Sequence, residues 1–311
     1  MTGLTSKVDR FGDDQLRKTD EHIIKQPRKL FLRLLSRLNL KGIAQIFYPH
    51  TMRRRGSKEE ITANAQRLGL GATYGIHEKG IEILSPEIYT HGYPLQDIFR
   101  QDIVRHPLLE KIDRKEALNT AAAYLGTIHA NYGYIGEVLP NDIIFQKAND
   151  YSGATVMSEP VLNLPDIVYN PVLDEKHTDS SRIAMDLMDF IFSISLEEIA
   201  RVNRDGLRIN EENFHDLIAK LITQLLTAYS ENYDENKKQV LQHILTTLKS
   251  FVKRGRLTTT NSKQTSIVNN VFFAHNKVRL ENYDEGVYSV IRPAVDQAIV
   301  QVLKNIKQSS F

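Results

Sequence analysis

Residues 180 to 202 read SSRIAMDLMDFIFSISLEEIARV, with apolar side chains around most of a helical circumference. A helix of that kind has no broad face to offer to water, so it must lie at the centre of a layer of other helices. Asp186 interrupts it near its start. An acid buried on such a helix needs a partner, because an uncompensated carboxylate in an apolar interior is costly.

The helices to surround it are legible on either side. KEALNTAAAYLGTIHANYG places Ala117, Leu118, Ala121, Ala122, Leu125 and Ile128 on one face and stops at Gly133. NFHDLIAKLITQLLTAYS gives a second amphipathic pattern from Phe214 to Tyr229, and two more helices are predicted at about 236 to 254 and 285 to 307. Ahead of residue 95 the pattern is mixed. KLFLRLLSRLNL, residues 29 to 40, has helical spacing, with leucines on one face and arginines on the other. KGIAQIFYP reads as a strand ended by Pro49. SKEEITANAQRL opens with Ser57 and has Glu60 three positions on, a capping box, and the helix stops at Gly69. GIEILSPEIYTHGYP and GATVMSEPVLNLPDIVYNP are β-like and broken by prolines. The prediction is an α+β chain: a loose polar arm over 1–26, a small mixed segment over 27–94, and a larger helical segment over 95–311 with a short β-rich insert.

Composition excludes several functions. Among 311 residues there is no cysteine, so disulfides, thiolate zinc sites and cysteine nucleophiles are absent. No apolar run is long enough for a membrane-spanning helix. The amino terminus lacks the apolar core of a signal peptide, so a cytoplasmic location is expected. The run GLGATYG at 69–75 has the look of a phosphate loop, but it follows a helix rather than opening one and is read as a helix stop.

The stretch IHANYGYIGEVLPNDIIF, residues 128 to 145, stands apart. A helix ends at a glycine, two acids follow five residues apart, Glu137 and Asp142, and a short apolar strand pattern comes next. An ordinary polar connection is one reading. The other comes from resemblance. The spacing of Glu137 and Asp142, with Gly136, Pro140, Ile143 and Ile144, resembles the catalytic loop of the protein-kinase-like fold. The form it resembles is the one found in small atypical kinases such as the RIO, lipopolysaccharide-core and tRNA-modification-complex kinases. Ile135 stands where that loop has histidine, Glu137 for aspartate and Asp142 for asparagine.

The resemblance implies a reduced β-containing N-lobe and a larger, mostly helical C-lobe, with the catalytic-like loop at 134–145. It implies ATP and Mg²⁺ as cofactors, Asp142 and Asp166 as metal ligands, and Glu137 as the acid that orients an acceptor hydroxyl. Asp166 follows Glu137 by 29 residues, longer than usual in that family. Asp186 would steady the loop by accepting its backbone N–H groups. Gln45 falls where the phosphate-pairing lysine is expected, with Glu59 or Glu60 as its helix partner, and no glycine-rich loop precedes it. A neutral glutamine does not replace a lysine's charge. The expected function is therefore a pseudokinase-type nucleotide-binding or regulatory module, with an active phosphotransferase as the alternative. A third reading rests on the basic stretch 28–58, which suits a protein partner or an acidic surface in an unrelated α-rich protein. Nucleic acid is the weaker partner class, since aromatic residues are sparse there.

Overall fold

A computed structural model describes residues 6–8, 14–18, 23–27, 53–70, 74–77, 80–83, 92–100, 112–136, 138–148, 156–163, 167–169, 178–204, 211–254 and 285–308. Strands β1 (Ser6–Val8), β2 (Asp14–Lys18) and β3 (Ile23–Pro27) come first, followed by β4 (Arg53–Arg55) and helix α1 (Lys58–Arg67). A hairpin of β5 (Tyr74–His77) and β6 (Gly80–Ile83) completes the first part. Next come β7 (Tyr93–Pro94), α2 (Leu95–Arg100) and α3 (Arg114–Tyr132). A 3₁₀ turn at Pro140–Asp142 then leads into β8 (Ile143–Ala148), β9 (Val156–Leu162) and β10 (Ile167–Tyr169). Four long helices end the chain: α4 (Asp179–Arg204), α5 (Glu211–Ser230), α6 (Lys238–Arg254) and α7 (Glu285–Gln308).

The α+β class holds. One antiparallel sheet has the order β1-β2-β3-β6-β5, so the β5–β6 hairpin returns beside β3 after α1 has been inserted between them in sequence. Residues 6–27 therefore contribute three paired strands, where a loose arm over 1–26 is expected from their polarity. Their apolar residues are too few to give an alternating pattern; backbone pairing across the sheet supplies what side-chain periodicity does not announce. Strand β7 pairs with β8 in the three-stranded sheet β7-β8-β9. The helix expected at 29–40, the strand expected at 41–49 and Gln45 lie outside the described residues.

Helix α1 forms as its capping box requires. The Ser57 hydroxyl accepts the Glu60 N–H, the Glu60 carboxylate accepts the Ser57 N–H at 2.8 Å, and Gly69 turns the chain out at φ +75°. In the helical part, α4 is buried through Ile183–Ser195, as its all-round apolar pattern demands. Helix α5 packs on α3 and α7, and α6 packs on α4 and α7. The α3–α5 crossing is close because Gly126 has no side chain: a Cβ there would lie 3.2 Å from the Tyr229 carbonyl carbon and closer still to its oxygen. One core, with Leu118, Leu125, Phe190, Ile218, Leu225, Ile244 and Ile299 in it, runs through these helices.

Candidate functional site

The loop that follows α3 is held from two sides. Helix α3 starts on Asp113, whose side chain accepts the Lys115 and Glu116 N–H groups, and stops at Gly133, φ +81°. The chain then drops against α4. The Asp186 carboxylate accepts the Ile135 N–H at 2.6 Å, the Gly136 N–H at 3.3 Å and the Tyr169 hydroxyl at 3.0 Å. Gly136 sits at φ +128°, a conformation that a side chain would disfavour, and this lets two successive amides point at one carboxylate. The partner that Asp186 needs is thus the loop's own backbone.

Behind Asp186 a buried polar chain leads into the bundle. His129 Nε2 faces Asp186 Oδ2 at 3.6 Å, His129 Nδ1 lies 2.9 Å from the Tyr229 hydroxyl, and the Tyr229 and Tyr233 hydroxyls are 2.8 Å apart. Burial, and then the neighbouring Tyr233, holds the Tyr229 phenol well above the ordinary tyrosine value. Burial pushes Tyr233 up to about 12, against the opposing pull of its hydrogen bond with Tyr229. From the other side, α1 reaches the same loop. Asn64 Nδ2 donates to the Ile135 carbonyl at 2.7 Å, and Arg67 donates to the carbonyls of Tyr132, at 2.7 Å, and Tyr134.

Of the residues expected to act, Asp142 and Glu60 are described. Asp142 sits half-buried at the end of the 3₁₀ turn, and its Oδ2 accepts the Leu139 N–H at 2.8 Å, so one carboxylate oxygen is engaged in shaping the turn. Glu60 gives one oxygen to the α1 cap. Glu137 and Asp166 lie outside the described residues. The residue seen to close on Asp142 is Asn163, buried at the end of β9, whose N–H donates to the Asp142 carbonyl at 2.6 Å. Its signal in the sequence is faint: a polar residue ending an apolar strand. Arg67 and Asn64 also escape a reading by pattern, since both look like solvent-facing positions of a capped helix.

Among the described residues no three His, Asp or Glu side chains gather into one cluster. Among them also no helix is long and apolar enough to cross a membrane. No protein-family model, curated protein or solved structure matches the chain.

Proposed function

We propose that the chain is a diverged protein-kinase-like protein, acting as a pseudokinase-type nucleotide-binding or regulatory module. The observation that carries this reading is Asp186, a buried acid on a central helix that accepts the backbone amides of Ile135 and Gly136, as the resemblance implies. Its setting is consistent. A five-stranded antiparallel sheet has a helix inserted before its last hairpin, and a long helix, a glycine-containing loop and a two-stranded turn follow in order. One feature favours a module over an enzyme: Gln45 offers no positive charge to a phosphate. The basic stretch 28–58 contributes β4, Arg53–Arg55, which pairs with β10, and the positive charge of its sequence suits an acidic partner. The same reading places the protein in the cytoplasm, where ATP and Mg²⁺ are at hand.

Thermal unfolding with and without ATP, and with and without Mg²⁺, tests the reading. A nucleotide present at 100 times its Kd stabilises the folded state by about 2.7 kcal/mol. The expected result is a rise in Tm with nucleotide and no transfer of phosphate to a hydroxyl acceptor. Absence of any shift at millimolar nucleotide sinks the nucleotide reading. Measured phosphate transfer replaces the module by an active phosphotransferase, with Glu137, Asp142 and Asp166 as its acids.

A further inference from the structure

We infer that Arg67 and Asn64 of α1 are positioning residues for the 134–142 loop, holding its carbonyls while Asp186 holds its amides. Helix ends leave carbonyls without intrahelical partners, and a burial-competent structure must satisfy them from elsewhere. At the end of α3 one is satisfied from outside: the Tyr132 carbonyl accepts from Arg67 Nη1 at 2.7 Å. The Tyr134 carbonyl accepts from Arg67 Nη2, which also donates to Asn64 Oδ1. Asn64 Nδ2 then takes the Ile135 carbonyl at 2.7 Å, so Ile135 is gripped by α1 on its carbonyl and by α4 on its amide.

Aromatic stacking closes the arrangement. The Arg67 guanidinium lies 4.2 Å from the centre of the Tyr134 ring, Arg182 of α4 lies 4.8 Å from the same ring, and Tyr169 meets it edge-on at 4.9 Å. Burial lowers the Arg67 pKa below its ordinary value, while the nearby Tyr134 and Asp186 pull the other way. The guanidinium is thus partly desolvated and compensated by the loop it binds. A lysine cannot copy this, because its ammonium has neither the planar fork for two carbonyls and an amide oxygen nor a face to stack on a ring. Opposite Arg67, the amino-terminal turns of α1 rest on β10 through Ile61, Gly56 and Val168, and β10 carries the Tyr169 that bonds Asp186. The two grips on the loop are therefore joined through one strand, and whatever shifts α1 shifts the loop.

The inference does not rest on nucleotide binding and is tested without nucleotide. Amide hydrogen exchange, followed by mass spectrometry on the full chain, compares the native protein with Arg67→Ala, Arg67→Lys and Asn64→Ala. The expected result is exchange about tenfold faster in peptides covering 133–142 for both Arg67 variants, with α6 and α7 unchanged. Asn64→Ala gives a smaller change at Ile135 and Gly136, and it keeps the test available if Arg67→Ala does not fold. Unchanged loop protection in Arg67→Ala overturns the inference. So does full rescue by Arg67→Lys, or a loss of protection spread evenly through α5, α6 and α7, which marks a general loss of stability.

Discussion

Asp186 has a fully buried side chain that serves two backbone amides, one phenol and one imidazole edge. Removing it strands the Ile135 and Gly136 N–H groups away from water, while the Tyr169 hydroxyl keeps the Arg182 carbonyl at 2.6 Å. Each orphaned buried donor costs about 1–3 kcal/mol, so Asp186→Ala is expected to lose about 3–5 kcal/mol in urea unfolding. A loss below about 1 kcal/mol would mean that the loop does not depend on this carboxylate. The two tyrosines behind it make a second prediction. In the unfolded chain both phenols ionise near pH 10, whereas the folded protein keeps Tyr233 neutral to about 12 and burial holds Tyr229 well above its ordinary value. The folded state binds the extra protons, so their stabilisation is complete below pH 10 and falls as pH rises toward 12. Each adds a downward slope of at most about 1.4 kcal/mol per pH unit. Urea midpoints measured from pH 9 to 12 should fall less steeply in Tyr233→Phe than in the native protein, and an identical slope counts against the buried pair. From sequence, an acid within the most apolar part of a helix shows that Asp186 needs a partner. It does not show which, because backbone amides about fifty residues away leave no mark in residue type.

At the scale of elements, the long helices were legible because burial on one face or all faces writes itself as a period of 3.6 residues. Helix α1 was legible from Ser57 and Glu60 alone. The strands of residues 6–27 were not, since DQLRK and IIKQP hold too few apolar residues to alternate and depend on pairing with each other and with β6. The meeting of α3 and α5 was equally silent, although its cause is a single residue. Gly126 lies against the Tyr229 backbone, and a methyl group there would force the helices apart or strain both. Gly126→Ala should therefore destabilise by about 1–3 kcal/mol, despite alanine being the better helix former. Because the same crossing brings the Tyr229 hydroxyl to His129, the substitution should also loosen the loop side of α3. A variant as stable as the native protein in thermal unfolding would show that the crossing relaxes at no cost.

Across the whole molecule, the division into a small segment and a helical one describes the sequence better than it describes the contacts. Strand β7 pairs across the expected boundary, and α1 binds the loop after α3. These joins are made by backbone groups and by polar side chains far apart in sequence, which pattern reading cannot pair. The last helices are bound in the same way. Helix α7 buries Ile291, Ala294, Val295, Ala298, Ile299, Val302 and Ile306 in the core shared with α3 and α4, mainly against α5 and α6. Burying one aliphatic side chain of the larger kind contributes about 1.5–3 kcal/mol, so the five Ile and Val positions together contribute about 7.5–15 kcal/mol, as much as the 5–15 kcal/mol of a typical domain's net stability. A chain ending at residue 284 is therefore expected to lose cooperative thermal unfolding rather than to shed an independent module. Since α5 carries Tyr229 beneath His129 and Asp186, that chain should also lose hydrogen-exchange protection at residues 133–142, in another part of the fold. A shortened protein that melts cooperatively within about 2 °C of the full chain, its loop still protected, would make α7 an appendage and the core two separable parts.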